Sequence, residues 1–288
     1  MKRFADLHIH TVHSDSTLSP KEVVDMAHKR GLCAISITDH DCVDGIEPAI
    51  AYAKRYDLEI IPGVELTAEE DDLEIHILGY YIDYKAKWFI EKLKQICQAR
   101  DRRIYEMVDK LKDYGIEVEP KKVFALSNSG AVGRLHLAMV LYNEGHVSTI
   151  REAFKKYIGL HSPCYVKKFK LTPKETIDII AKLGGVAVLA HPHVLGRDDL
   201  IPRFIEQGIR GIEVYHSEHP TNATLHYEDI AFENGLIITG GSDCHGLGKG
   251  YPLIGRIRVP YRIVEDLKRE AGIISQDSSR VAPERHSR

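Results

Sequence analysis

His8 and His10 stand two positions apart at the end of an apolar run, Phe4–Ile9. In a strand the side-chain period of two puts both imidazoles on one face, where they can grip one cation together. Taken alone, such a pair serves equally well as a satisfied polar strand end. The rest of the chain tips that balance. A second apolar run ends in Thr38-Asp39-His40-Asp41, a third contains Gly63-Val64-Glu65, and a fourth carries His76. Later runs repeat the habit, with Ala190-His191-Pro192, then Glu213 and His216, then Ser242-Asp243-Cys244-His245. Several imidazoles with a few carboxylates suit borderline ions such as Zn²⁺, Fe²⁺ or Mn²⁺ better than Ca²⁺, and so many ligands need more than one ion.

The elements that must position these residues follow from hydrophobic period. Short β-branched runs at Phe4–Ile9, Ala34–Thr38, Glu59–Thr67, Glu74–Tyr80, Val186–Ala190, Gly211–Tyr215 and Leu236–Gly240 are mostly separated by helical patterns. Ser19-Pro20 opens one such helix, closed by Gly31; Thr172-Pro173 opens another, closed by Gly184-Gly185. This alternation predicts parallel strands with outer helices. In a βα barrel the functional groups gather at the C-terminal strand ends, where nearly all the residues above fall. Gly240-Gly241 lacks the Lys-Ser/Thr of a phosphate-binding loop and is expected to permit a tight strand end.

Between Lys85 and Pro163 the strand pattern stops. A long helix is expected over Trp88–Tyr114, its apolar positions from Phe89 to Leu111 forming one packing stripe, followed by shorter helical patterns rich in Lys and Arg. The expected organisation is therefore a metal-binding barrel from 1–84 and 164–274, a helical insertion at 85–163, and a mobile tail at 275–288.

Composition narrows the function. A chain of 288 residues with 43% hydrophobic content can bury a substantial core. The formal charge of −3 argues against a surface for duplex DNA and leaves phosphate recognition to a local pocket. Five cysteines without a CxxC pair indicate neither a disulfide framework nor a zinc ribbon. The start, MKRFADLHIH, is not a signal peptide, and no run of about 18 apolar residues occurs, so a cytoplasmic protein without membrane partners is expected.

Five motifs in order carry a resemblance: Ala5-Asp6-Leu7-His8-Ile9-His10, Thr38-Asp39-His40, Pro62-Gly63-Val64-Glu65, Ala190-His191-Pro192 and Ser242-Asp243-Cys244-His245. They resemble those of the PHP (polymerase and histidinol phosphatase) family, in the branch of 3′,5′-nucleoside bisphosphate phosphatases and ribonuclease AM. The resemblance implies an α/β fold, a distorted (β/α)₇ TIM-like barrel whose helical insertion, 85–163, caps the site, and two or three divalent ions. By carry-over, His8, His10, Glu65 and Asp243 would hold one ion, Asp15, His40 and His245 a second, and Glu65, His76 and His191 a third, with Glu65 bridging. Aspartate at position 15, where some relatives use histidine, favours a harder metal, so Mn²⁺ is expected ahead of Fe²⁺ or Zn²⁺. Asp39 points to the opposite side of the strand from His40 and is expected to orient a ligand imidazole.

The chemistry implied is phosphoester hydrolysis by a metal-bridging hydroxide, since bound water can reach a pKa of about 7 and no protein nucleophile is then required. Arg100, Arg103, Arg134 and Lys167 are the expected phosphate-binding residues, Arg134 foremost. The substrate implied is a small nucleotide, a nucleoside 3′,5′-bisphosphate, with 5′–3′ trimming of short RNA as a companion activity. The competing readings are a histidinol-phosphate or other small phosphomonoesterase, and a catalytically silent nucleotide-binding module. A hydrolase of C–N bonds is disfavoured because no strand offers a bridging lysine. Among the other histidines, His13, His28, His146, His161, His226 and His286 read as ordinary surface or capping residues, whereas His136, His193, His216 and His219 could line the pocket without touching metal.

Overall fold

The computed structural model describes residues 3–71, 73–126, 132–167, 171–249 and 251–275. Its strands are β1 (Phe4–Ile9), β2 (Ala34–Ile37), β3 (Glu59–Glu70), β4 (Leu73–Tyr80), β5 (Val186–Leu189), β6 (Gly211–His216), β7 (Ile237–Gly241) and β8 (Val259–Pro260). They form one sheet in the order β7-β6-β5-β4-β3-β2-β1-β8. Its helices are α1 (Pro20–Lys29), α2 (Ile46–Ala53), α3 (Lys87–Lys112), α4 (Pro120–Leu126), α5 (Arg134–Asn143) and α6 (Ile150–Ala153), then α7 (Pro173–Lys182), α8 (Pro192–Leu195), α9 (Ile201–Gln207), α10 (Thr221–Glu233) and α11 (Arg262–Glu270).

The barrel expected from the motifs is present and nearly closed. β7 returns to β1, with Ile9 bridging Cys244 and the Asp243 amide donating to the His8 carbonyl at 2.9 Å. Gly241 makes this approach possible, because a Cβ there would sit 2.3 Å from the His8 amide nitrogen. The expected tight strand end is thus the barrel's seam. β8, only two residues long, pairs antiparallel with the start of β1 and is too short to leave a periodic signal.

One strand departs from the parallel expectation. β4 runs antiparallel to both β3 and β5. The cause is local: β3 and β4 pair to their ends, Glu70 against Leu73, and Asp71 turns the chain at φ 47°. No room is left for the crossover helix that a parallel pair requires.

The helix starts are as the sequence predicts. Ser19 and Glu22 form a reciprocal capping box on α1, and Thr172 and Glu175 repeat it on α7. Each such cap is worth about 1 kcal/mol. The long helix α3 is shared between two cores. Phe89, Leu93 and Ile96 pack with the barrel residues, whereas Ile104, Met107 and Leu111 join Leu137 and Leu141 in a separate helical cluster. Each fully buried side chain of this kind contributes roughly 1.5–3 kcal/mol, so the helical segment has a core of its own. Of the tail, only Ser275 lies within the described residues.

Candidate metal centre

The strands deliver the nine expected ligand residues to one end of the barrel. His8 comes from β1 and His10 follows it directly, both fully buried; Asp15 comes from the loop after them, and Glu65 from within β3. His40 follows β2, His191 follows β5, and Asp243 and His245 follow β7. His76 reaches the same place from the middle of β4, opposite Thr67, because that strand runs backwards.

Glu65 is the hub. Its Oε2 lies 3.1 Å from His8 Nε2, 3.2 Å from His10 Nε2 and 3.2 Å from His40 Nδ1. Its Oε1 lies 3.0 Å from His76 Nδ1 and 3.1 Å from His191 Nε2. Asp243 Oδ1 stands 3.1 Å from His10 Nε2, and Asp15 Oδ1 stands 3.3 Å from His245 Nε2. Donor atoms within 4.8 Å of one another form the groups His8-His10-Glu65-Asp243, His10-Asp15-His40-His245 and His40-Glu65-His76. His10, His40 and Glu65 are therefore each shared between two of these groups, and His191 adjoins the last through Glu65.

Burial alone would raise the Glu65 carboxyl, but the imidazoles of His40, His8 and His76 hold it well below the usual carboxylate range. Burial pulls His10 down, yet hydrogen bonding to Asp243 and Glu65 brings it up to about 10. His40 goes the other way, lowered by burial to about 4. The backbone is strained at the same mouth: Asp41, His191 and Asp243 hold φ of 46°, 26° and 50°. Such conformations cost of order 1–3 kcal/mol each and cluster where geometry is functional.

This donor set fits divalent ions. His8 Nε2 and His10 Nε2 face each other at 3.1 Å. His40 Nδ1 and His76 Nδ1 are buried without an aligned hydrogen bond among the described residues. Lone pairs and carboxylate oxygens pointing at shared positions are what a cation satisfies.

The supporting groups differ from the expectation. Among the described residues Asp39 makes no direct hydrogen bond to a ligand imidazole; it accepts from the Thr11 amide and the Ser14 hydroxyl, both at 2.6 Å, and from the Thr11 hydroxyl at 2.7 Å, and that Ser14 hydroxyl stands 3.5 Å from His10 Nδ1. Asp39 holds the loop that carries Asp15, because its side of β2 faces that loop. The carboxylates that face the outer nitrogens of ligand imidazoles are Glu213, fully buried and 3.0 Å from His8 Nδ1, and Glu74, 3.2 Å from His76 Nε2. The signal of Glu213 was a lone acid inside the apolar run Gly211–Tyr215.

A cavity of about 560 Å³ opens beside the cluster, walled by Asp15, His40, His76 and His245 on one side and by Arg100, Arg103, Arg134 and Phe154 on the other. Arg100 pairs with the buried Asp41 carboxylate and reaches Thr67 Oγ1. The Arg103 Nε donates to the Val166 carbonyl at 2.7 Å, and the Arg134 guanidinium lies 5.4 Å over the Tyr165 ring and 5.7 Å over Phe154. Among the described residues neither Arg103 nor Arg134 forms an ion pair with a carboxylate within 4 Å, although Glu69 and Glu74 lie near enough to Arg103 to act on its charge. Lys167 is exposed and stands outside the cavity wall. His136 lines the cavity, whereas His193 and His219, which meet edge-on with ring centroids 5.8 Å apart, are not part of its lining.

Known proteins place this architecture. The PHP domain family matches residues 6–208. A 3′,5′-nucleoside bisphosphate phosphatase of Chromobacterium violaceum is 33% identical over 85% of this chain and 88% of its own. The 5′-3′ exoribonuclease Rnm of Escherichia coli is 33% identical over 83% of this chain and 84% of its own. A solved structure described as a candidate metal-dependent phosphoesterase of Bifidobacterium adolescentis superposes with a TM-score of 0.78, at 29% identity over 92% of this chain and 96% of that one. Fold and site together define a hydrolase of phosphoric esters. The chain belongs to the PHP domain family. Among the described residues no helix is long and apolar enough to cross a membrane.

Proposed function

We propose that this chain removes a phosphate from nucleoside 3′,5′-bisphosphates with two or three divalent ions, Mn²⁺ foremost. The ligands would be His8, His10, Asp15, His40, Glu65, His76, His191, Asp243 and His245. When bound, the ions supply positive charge against phosphoryl oxygens and acidify water to a pKa of about 7.

The observation that carries this reading is the asymmetry of the cavity. One wall is an array of imidazoles and carboxylates; the other carries two guanidinia, Arg103 and Arg134, that form no close ion pair among the described residues. Such guanidinia suit a second phosphate, held by charge-assisted hydrogen bonds. Phe154 and Leu135, both at the cavity, offer apolar surface to the nucleoside between the two phosphates. Arg100, committed to Asp41, serves as a strut that orders the wall. The barrel, 1–84 and 164–274, then does the chemistry, and residues 85–163 cap it and select the substrate. A 5′-phosphorylated RNA end also presents two phosphates one nucleoside apart, so stepwise trimming of short RNA belongs to the same reading, as the likeness to the exoribonuclease supports.

The test is phosphate release by the Mn²⁺-loaded protein from 3′-phosphoadenosine 5′-phosphate, beside histidinol phosphate and a short 5′-phosphorylated RNA, with Asp243→Ala as control. Turnover of the bisphosphate, lost in the variant, supports the proposal. Turnover of histidinol phosphate alone moves the assignment to small phosphomonoesters, and no turnover leaves a silent binding module.

A further inference from the structure

In an imidazole at a metal centre, the partner of the outer nitrogen decides what the inner one can do. His8 Nδ1 faces Glu213 at 3.0 Å, His76 Nε2 faces Glu74 at 3.2 Å, and His245 Nδ1 faces the Asp243 carbonyl at 2.9 Å. All three partners accept hydrogen bonds. Each ring therefore keeps its proton outside and turns a lone pair toward the cluster.

His216 is built the other way round. The backbone N–H of Glu218 donates to His216 Nδ1 at 3.2 Å. A neutral ring so engaged carries its proton on Nε2. That nitrogen is buried and makes no aligned hydrogen bond among the described residues, and it faces Asp243 Oδ2 at 3.4 Å. The other oxygen, Oδ1, faces His8 and His10. The rings of His191 and His219 pack around His216 with centroids 5.3 and 5.2 Å away, which limits how it can turn.

We infer that His216 is a positioning residue and not a metal ligand: its Nε2–H holds Asp243 Oδ2, so that the carboxylate presents Oδ1 alone to the cation. Proximity by itself suggests the opposite, because His216 has a donor atom within 4.8 Å of those of His8 and Glu213. A ring protonated on its inner nitrogen has no lone pair to give. The inference rests on the metal reading proposed above.

Mn²⁺ binding to the full chain, measured by calorimetric titration and chelator competition, separates stoichiometry from affinity in the wild type, His216→Leu and His216→Gln. The leucine variant is expected to bind as many ions at saturation as the wild type but roughly 10- to 100-fold more weakly, the usual effect of removing a group that orients a ligand. Glutamine, whose carboxamide N–H can replace Nε2–H, is expected to restore most of that affinity. Loss of one ion per chain in the glutamine variant makes His216 a ligand and overturns the inference, whether or not the leucine variant folds. Unchanged affinity in a folded leucine variant overturns it too. A wild-type chain that binds no metal instead refutes the proposed function itself.

Discussion

The two walls of the cavity are held in different ways. On the barrel side, His8, His10 and Glu65 are at most 1% exposed, and each is gripped by several neighbours from different strands. On the helical side, Arg103 and Arg134 rest on a tyrosine ring and on backbone carbonyls. The first arrangement fixes donor atoms to a fraction of an ångström, which coordination and phosphoryl transfer need. The second leaves each long side chain with few constraints, which suits a charge that must meet substrates of differing shape. On the proposed reading, chemistry and selection are thus divided between the barrel and the helical segment.

The sharpest break in that division should come from Glu65→Gln. Both oxygens of Glu65 serve the cluster, so turnover should fall on the order of 10³-fold or more, with bound metal lost as well, by phosphate-release assay and metal analysis. Leu141→Ala, in the helical core, should cost about 2–5 kcal/mol in the unfolding of that segment. Chemical denaturation should report the loss, while metal content stays at the wild-type value. Arg134→Ala should leave kcat for a nucleoside bisphosphate nearly unchanged and raise KM by roughly 10- to 100-fold, the worth of one charge-assisted hydrogen bond.

The smallest effect lies at the far end of the barrel from the mouth. Burial pushes the Glu59 carboxyl up, but the Tyr261 hydroxyl and the Lys268 ammonium bring it below its ordinary value. A lowered carboxyl adds stability above its unfolded pKa, and that stability fades as pH falls through the folded value. Glu59→Gln should therefore cost under about 1 kcal/mol at neutral pH, and the gap should close in acid when thermal unfolding is followed from pH 7 downward.

The difference between the walls also explains what the sequence made legible. The barrel announced itself because strand ends repeat one pattern: an apolar run, then a histidine or acid at its C-terminal edge. His76 broke the parallel assumption, since an antiparallel hairpin and a parallel crossover leave the same period of two within a strand. Asp39 was expected beside an imidazole, yet the acid that faces His8 directly is Glu213, because alternation tells which face a side chain takes but not what lies across it. The cap was less legible. Arginine on a helix reads the same whether it is solvated or lines a cavity, so Lys167 stood among the candidates behind Arg134 until tertiary structure put it outside the cavity wall. Tyr165 gave no signal, because its use depends on two arginines distant in sequence.

The division of labour is tested most directly by one ratio: kcat/KM for a nucleoside 3′,5′-bisphosphate over that for the matching nucleoside monophosphate, in the wild type and in an Arg103→Ala, Arg134→Ala double variant, both loaded with Mn²⁺. The wild type should favour the bisphosphate by on the order of 100-fold, and the double variant should bring the ratio close to unity while still hydrolysing the monophosphate, because its loss is in binding the second phosphate. A ratio that survives in the double variant, or a wild type indifferent to the second phosphate, would contradict the assignment of selection to the helical wall.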